Sequence, residues 1–182
     1  MVEIISPKEL KEEAEKSYSR KEFLSAARSF QAAADGYRQD GELLTATEML
    51  NNASVAYLQA GEPESALKSA QNTDQYFAGI GDKKRQAIAL GNQAAAHEAL
   101  GQLVNAAEEY SNSSELLKEI GDQELLPTVM QSLSAVQLKL GQQMDAIISM
   151  QAGLENVKNP SLKQKLLKKV LRSPFSYFNR LS

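Results

Sequence analysis

The sequence predicts an all-α fold, an α–α superhelix of stacked helical hairpins, on three observations. Gly41, Gly81 and Gly121 recur every forty residues, and Gly61, Gly101 and Gly141 interleave with them, so six of the ten glycines share a twenty-residue register. Blocks of forty align further columns: Ala26, Ala66, Ala106 and Ala146 are all alanine, and Ala14, Ser54, Ala94 and Ser134 are all small. Ala, Leu, Gln, Glu and Lys dominate, aromatics are 6% and Trp is absent, a composition that favours helices. A glycine closing a helix at a fixed interval, with the next helix starting just beyond it, marks a repeat architecture.

The elements follow in order. Ser6-Pro7-Lys8-Glu9 pairs a capping box with a proline at the first helical position and opens a helix over 7–19. A second, over 22–39, follows Lys21, which stands where the register expects glycine. Helices over 42–60 and 63–79 flank Gly61, and Pro63 falls where a missing N–H costs little. In the helix over 82–100, Ile88, Leu90, Ala94, Ala95, Ala99 and Leu100 form one broad apolar face. Val104, Ala107, Tyr110, Ser111, Ser114 and Leu117 do the same over 103–120, and Leu100-Gly101-Gln102 leaves room only for a tight turn. Pro127 lies in the second turn of a helix over 123–140, which it either kinks or delays. Helices over 143–157 and 161–172 complete nine, and Ser173-Pro174 is expected to end the last. Small columns let paired helices approach; the column Phe30, Ala70, Tyr110, Met150 and the column Leu10, Leu50, Leu90, Met130 fill grooves between hairpins. Gly36 and Gly91 fall inside helices at about 1 kcal/mol each relative to Ala, with no role assigned by the sequence.

The organisation is four repeats over 1–160 (about 1–40, 41–80, 81–120 and 121–160), a basic amphipathic capping helix over 161–172 and an aromatic tail over 173–182. From Ser161 onward there are six basic residues and no acidic one, whereas residues 1–160 carry 14 basic against 23 acidic, a net −9. With no cysteine, one histidine, no secretory leader pattern and no long apolar run, the expected location is cytoplasmic.

Block three, read as Leu90, Asn92, Ala94, His97, Leu100-Gly101, Ala106, Tyr110 and Ser113, resembles the tetratricopeptide repeat. Block two fits as Leu50, Asn52, Ser54, Tyr57, Gly61, Ala66, Ala70 and Thr73, and block four as Met130, Ser132, Ser134, Gln137, Gly141, Ala146, Met150 and Gly153. Block one is degenerate, with Lys21 and Ser17 departing from the pattern. The period is forty where the family's common period is about thirty-four, so the chain resembles its longer-helix variants over about residues 2–160.

The resemblance implies a right-handed superhelix whose concave face is lined by the first helix of each pair. It implies a non-catalytic scaffold or adaptor that takes a peptide or helix of a protein partner, with no cofactor and no metal. Asn52, Asn92 and Ser132 fall on the groove column, with His97 as a further polar contact; an Asn there donates to and accepts from a peptide backbone. The family's clamp for an acidic peptide end is not reproduced, since the corresponding positions are Lys8, Glu48, Ile88 and Thr128, and Glu12 begins the Asn column. Lys83, Lys84 and Arg85 cluster at a helix start, where the dipole disfavours cations, and read as a solvated end. His97 also reads as a histidine hydrogen-bonded between paired helices. No nucleophile has an activating partner, no glycine loop cradles phosphate, and Glu12-Glu13, Glu62/Glu64 and Glu108-Glu109 fall on exposed columns, so catalysis is not expected.

The end of the chain has two readings. Leu162, Leu166, Leu167, Val170 and Leu171 form an apolar stripe opposite Lys163, Lys165, Lys168, Lys169 and Arg172. As a cap, the helix packs that stripe on the last hairpin, and the register supports this because Ser161 falls on the glycine column. As a docking element, it lies on an anionic membrane or in a partner's groove. Phe175, Tyr177 and Phe178 beyond it can dock in a neighbouring copy, giving a homo-oligomer, while the acidic body argues against nucleic acid.

Overall fold

A computed structural model describes residues 5–157 and 160–178, with the backbone alone for Val170 and residues 172–178. The described residues are helical without a strand: α1 (Pro7–Ser19), α2 (Phe23–Gln39), α3 (Leu43–Gln59), α4 (Pro63–Ala70), α5 (Thr73–Gly79), α6 (Lys83–Ala99), α7 (Leu103–Glu119), α8 (Leu126–Lys139), α9 (Gln143–Glu155) and α10 (Leu162–Phe178). Helices pack mainly on their neighbours in sequence, and α6 also meets α3 and α4.

One turn is reused at every half-period. The six register glycines have φ between 67 and 80°, and Lys21 takes the same left-handed conformation at φ 63°. The amide just past each such residue donates to a carbonyl five positions back, as in Glu42 to Tyr37 (2.8 Å), Asp82 to Phe77 and Gln102 to His97 (both 2.9 Å). This six-to-one bond, together with the shorter one inside it (Gly41 N–H to Arg38 O, 3.2 Å), satisfies carbonyls that a helix end leaves open.

The small columns lie at the helix crossings. Ala26, Ala66, Ala106 and Ala146, and likewise Ala14, Ser54, Ala94 and Ser134, are at most 1% exposed. Ser134 Oγ donates to the Ala146 carbonyl at 2.7 Å, so a hydroxyl at this position is satisfied by the paired helix. Two mid-helix glycines have packing causes. A Cβ on Gly36 would stand 2.5 Å from Pro7 Cγ, and one on Gly153 would stand 3.0 Å from Met130 Cβ.

Three expectations change. The helix expected over 63–79 is broken: Gln71 is extended (ψ 129°) and Asn72 is left-handed (φ 64°), so α4 ends at Ala70 and α5 begins at Thr73. Asn tolerates this conformation better than most residues, and the freed Ala70 carbonyl accepts from Thr73 Oγ1 at 2.7 Å. The last helix does not stop at Ser173-Pro174 but runs to Phe178. Leu167, Leu171, Phe175 and Phe178 keep helical spacing across that proline, a pattern that opposes the break. Third, α10 buries only part of its stripe: Leu171 is half-buried, whereas Leu162 and Leu166 are 84% and 65% exposed. Pro127 delays its helix, sitting in the first turn of α8.

Lys21 is the one non-glycine in the repeated turn. Because a left-handed β-carbon is strained, Lys21→Gly is expected to stabilise the fold by about 1 kcal/mol, read as a higher urea midpoint at unchanged m-value.

Candidate functional site

Two hollows adjoin at α6 and are lined between them by residues of α1, α3, α6 and α8, the first helix of each pair. The first, about 260 Å³, lies among α1, α3 and α6 and is lined by Glu15, Glu48, Asn52, Arg85 and Ile88. The second, about 270 Å³, opens between α6 and α8 over α7. Its apolar wall includes Ile88, Ala95, Leu125 and Val129, and its polar atoms come from Asn92, Thr128, Ser132 and Tyr110. Ile88 lines both hollows, with Asn52 in the first and Asn92 and Ser132 in the second.

The second hollow has a glycine in its wall. Gly91 is helical, and a Cβ added there would meet only Ser113 Oγ at 3.8 Å, an ordinary contact. Unlike Gly36 and Gly153, it has no neighbour inside the chain that a methyl group would displace. Tyr110 at the same hollow donates to Glu98 Oε2 (3.2 Å), and burial, with the Glu98 charge, pushes its hydroxyl up to about 12. It stays protonated at neutral pH. Lys139 Nζ on α8 holds the other oxygen of Glu98 at 2.7 Å and links the third repeat to the fourth.

Charged pairs fix the rim. Lys83 pairs with Glu119, Lys84 with Asp122 (2.8 Å), and Arg85 with both Glu48 (2.8 Å) and Asp82 (2.5 Å). The helix start expected to be solvated is half-exposed but tied: Lys84 reaches the fourth repeat and Arg85 the second, whereas Lys83–Glu119 stays within the third repeat and Arg85–Asp82 within one turn. Asp82 accepts from the Arg85 amide and supplies the negative end the dipole favours. Asp122, bonded by Lys84 and by the Leu125 and Glu124 amides, is held down to about 2. At roughly half exposure of the cations each pair adds little stability.

The sequence reading missed Asn51, one position before the expected Asn52. Asn51 is 7% exposed, while Asn52 is solvent-exposed. Asn51 Oδ1 lies 3.2 Å from Thr73 Oγ1 and accepts from Asn92 Nδ2 at 3.4 Å. Gln93 Nε2 donates to the Ala70 carbonyl (3.0 Å) and to Asp74 Oδ1 (2.7 Å). The helix break is thus closed by a buried polar network joining α3, α5 and α6. The run Asn72-Thr73-Asp74, rich in side chains that bond their own backbone, was its available signal.

His97 does not share the face of Asn92 and Ser132. Five residues on from Asn92, it lies on the far side of α6, where a polar hollow of about 330 Å³ separates α5 from α7. His97 Nδ1 lies 2.5 Å from Gln102 Oε1, and Nε2 lies 3.5 Å from Glu109 Oε1, which matches the reading of a histidine bonded between paired helices. Glu109 is not on an exposed column: its side chain is only 20% exposed, and Oε2 is buried without a partner among the described residues. Burial pushes it up to about 6, His97 opposes the shift, and Asp74 and Glu108 add to it.

Lys163, Lys165 and Lys169 are exposed on α10 and Lys168 is half-buried. Arg172, Phe175, Tyr177 and Phe178 lie on the α10 backbone, and their side chains are outside the described residues. No protein-family model and no curated protein matches the sequence. What can be said of function therefore rests on the chain itself, an all-helical, repeat-like fold. No group of His, Asp or Glu among the described residues is arranged to hold a metal ion.

Glu109 sets a pH dependence. Its folded value near 6 exceeds the ordinary 4.5, so the stability it contributes is complete below about 4.5 and is lost as pH rises through about 6. The full shift corresponds to about 2 kcal/mol, and partial exposure to solvent reduces this to about 1 kcal/mol. Glu109→Gln is expected to be about 1 kcal/mol more stable than the parent at pH 7.5 and equal to it near pH 4.5, measured by urea unfolding across that range.

Proposed function

We propose that this chain is a non-catalytic protein-binding scaffold of tetratricopeptide-like architecture, a right-handed superhelix that holds a partner peptide or helix against the face of α1, α3, α6 and α8. The observation that carries this reading is Gly91. A mid-helix glycine costs about 1 kcal/mol relative to alanine, and nothing within the chain needs the space it leaves. It stands in the wall of an apolar hollow of about 270 Å³, beside Asn92 and near Ser132. A glycine there lets a bound main chain or a bulky side chain approach the helix closely. The volume suits an aromatic or large aliphatic anchor, and the polar rim fixes the direction of the chain that carries it.

Asn52 supplies a second polar contact in the adjoining hollow, which accommodates the next stretch of the same ligand. Asn92 is already held by Asn51, so its amide is oriented before a ligand arrives. The chain would act inside the cell as an adaptor.

Selection of a displayed random-peptide library on the immobilised full chain tests the assignment. The expected ligands share one aromatic or large aliphatic anchor. Gly91→Leu is expected to weaken their binding at least tenfold, and Asn52→Ala with Asn92→Ala to weaken it with helical content unchanged. Gly91→Ala is expected to raise stability by about 1 kcal/mol while lowering affinity. Peptides that bind all these variants with parental affinity would remove the groove assignment.

A further inference from the structure

We propose that α10 is a docking helix for anionic lipid, which lies along a membrane surface through the strip that α9 leaves uncovered. Only part of α10 rests on the last hairpin. Gln164, Lys168 and Leu171 are half-buried, whereas Leu162 is 84% and Leu166 65% exposed. At 100° per residue, Leu162, Leu166 and Lys169 share one strip, with Lys165 on one flank and Lys163 on the other. A hollow of about 380 Å³, reaching from Pro127 and Gly153 to Gln164 and Leu167, separates α10 from α8 and α9. Among the described side chains, α10 thus leaves the strip of Leu162 and Leu166 uncovered.

Charge decides the occupant. Residues from Ser161 onward carry six basic side chains and no acidic one, on a body of net −9. No ion pair among the described residues engages Lys163, Lys165, Lys168 or Lys169. An anionic bilayer attracts this helix and repels the rest of the chain, so contact is confined to α10. Leucines flanked by lysines on both sides match an interface, where the leucines enter the acyl boundary and the lysine stems bring their charges to the headgroups. No described helix is long and apolar enough to cross a membrane, so the contact is along the surface. Leu162 and Leu166 stand outside the hollow beside α10, which Gln164 and Leu167 line, and a projecting leucine strip favours a continuous fluid surface over an acidic groove.

The experiment is co-sedimentation of the full chain with vesicles of phosphatidylcholine containing about 30% phosphatidylserine, and with phosphatidylcholine alone. Two double variants change only exposed side chains, Leu162→Ser with Leu166→Ser and Lys165→Glu with Lys169→Glu. Both are expected to keep the parental melting temperature. The parent is expected to bind the anionic vesicles and not the neutral ones, with binding falling as salt rises. Each double variant is expected to bind at least tenfold more weakly, while groove peptides still bind both. Absence of binding to the anionic vesicles, equal binding to neutral ones, or binding unchanged in both variants overturns the proposal. So does a concentration-dependent mass in light scattering that Leu162→Ser with Leu166→Ser abolishes, which would assign the strip to a second copy of the chain.

Discussion

The fold depends on one backbone constraint, a left-handed residue every twenty positions that reverses the chain through the same pair of hydrogen bonds. That turn recurs from Lys21 to Gly141, and the small residues forty apart in both columns are buried alike. Alanine and serine can then occupy the crossings in every repeat, where a larger side chain would force the pair apart. Lys21 shows that the requirement is the conformation and not glycine itself. The turn forms there with a β-carbon in place, so the hairpin's packing outweighs the local strain.

What was legible in the sequence is what repeats. The turn positions, the buried columns and the capping box at Ser6 are periodic or strictly local, and each was readable without knowing the fold. What was not legible occurs once. The break at Asn72 uses neither glycine nor proline, and its compensation comes from Gln93, twenty-three residues beyond the carbonyl it satisfies. The ties of Lys83, Lys84 and Arg85 reach carboxylates in three different turns or helices, so a reading confined to one helix end saw only an unfavourable dipole. Pro174 misled in the opposite direction, because a local rule about proline took precedence over a helical spacing that continues past it. Gly91 was not legible, since its meaning lies in there being no neighbour that a methyl group would displace.

The three mid-helix glycines separate internal from external causes. Gly36 admits Pro7, and Gly153 admits Met130 and the Pro127 carbonyl, so both are accounted for by the first and last hairpins. Gly91 lies between them in sequence and has the same local cost. Gly79 is likewise unopposed but ends α5, so among the described residues Gly91 is the unopposed glycine inside a helix.

The helix break bears on the same face. A side chain on the groove, Asn92, is bonded to Asn51, Asn51 meets Thr73, Thr73 and Gln93 share the Ala70 carbonyl, and Gln93 reaches Asp74 at the polar hollow behind α6. Each of these groups is buried or nearly so, and each bond depends on α3, α5 and α6 holding one relative position. Sliding α6 by one turn would break the Asn92–Asn51 bond and take Gln93 from the Ala70 carbonyl and Asp74, at about 1–3 kcal/mol for each buried group left unsatisfied. The alanine columns cannot supply that selectivity, since small apolar surfaces shifted by a turn still meet small apolar surfaces. The break in the second helix of repeat two thus gives up one stretch of helical bonding and ties together α3 and α6, the helices that carry Asn52 and Asn92.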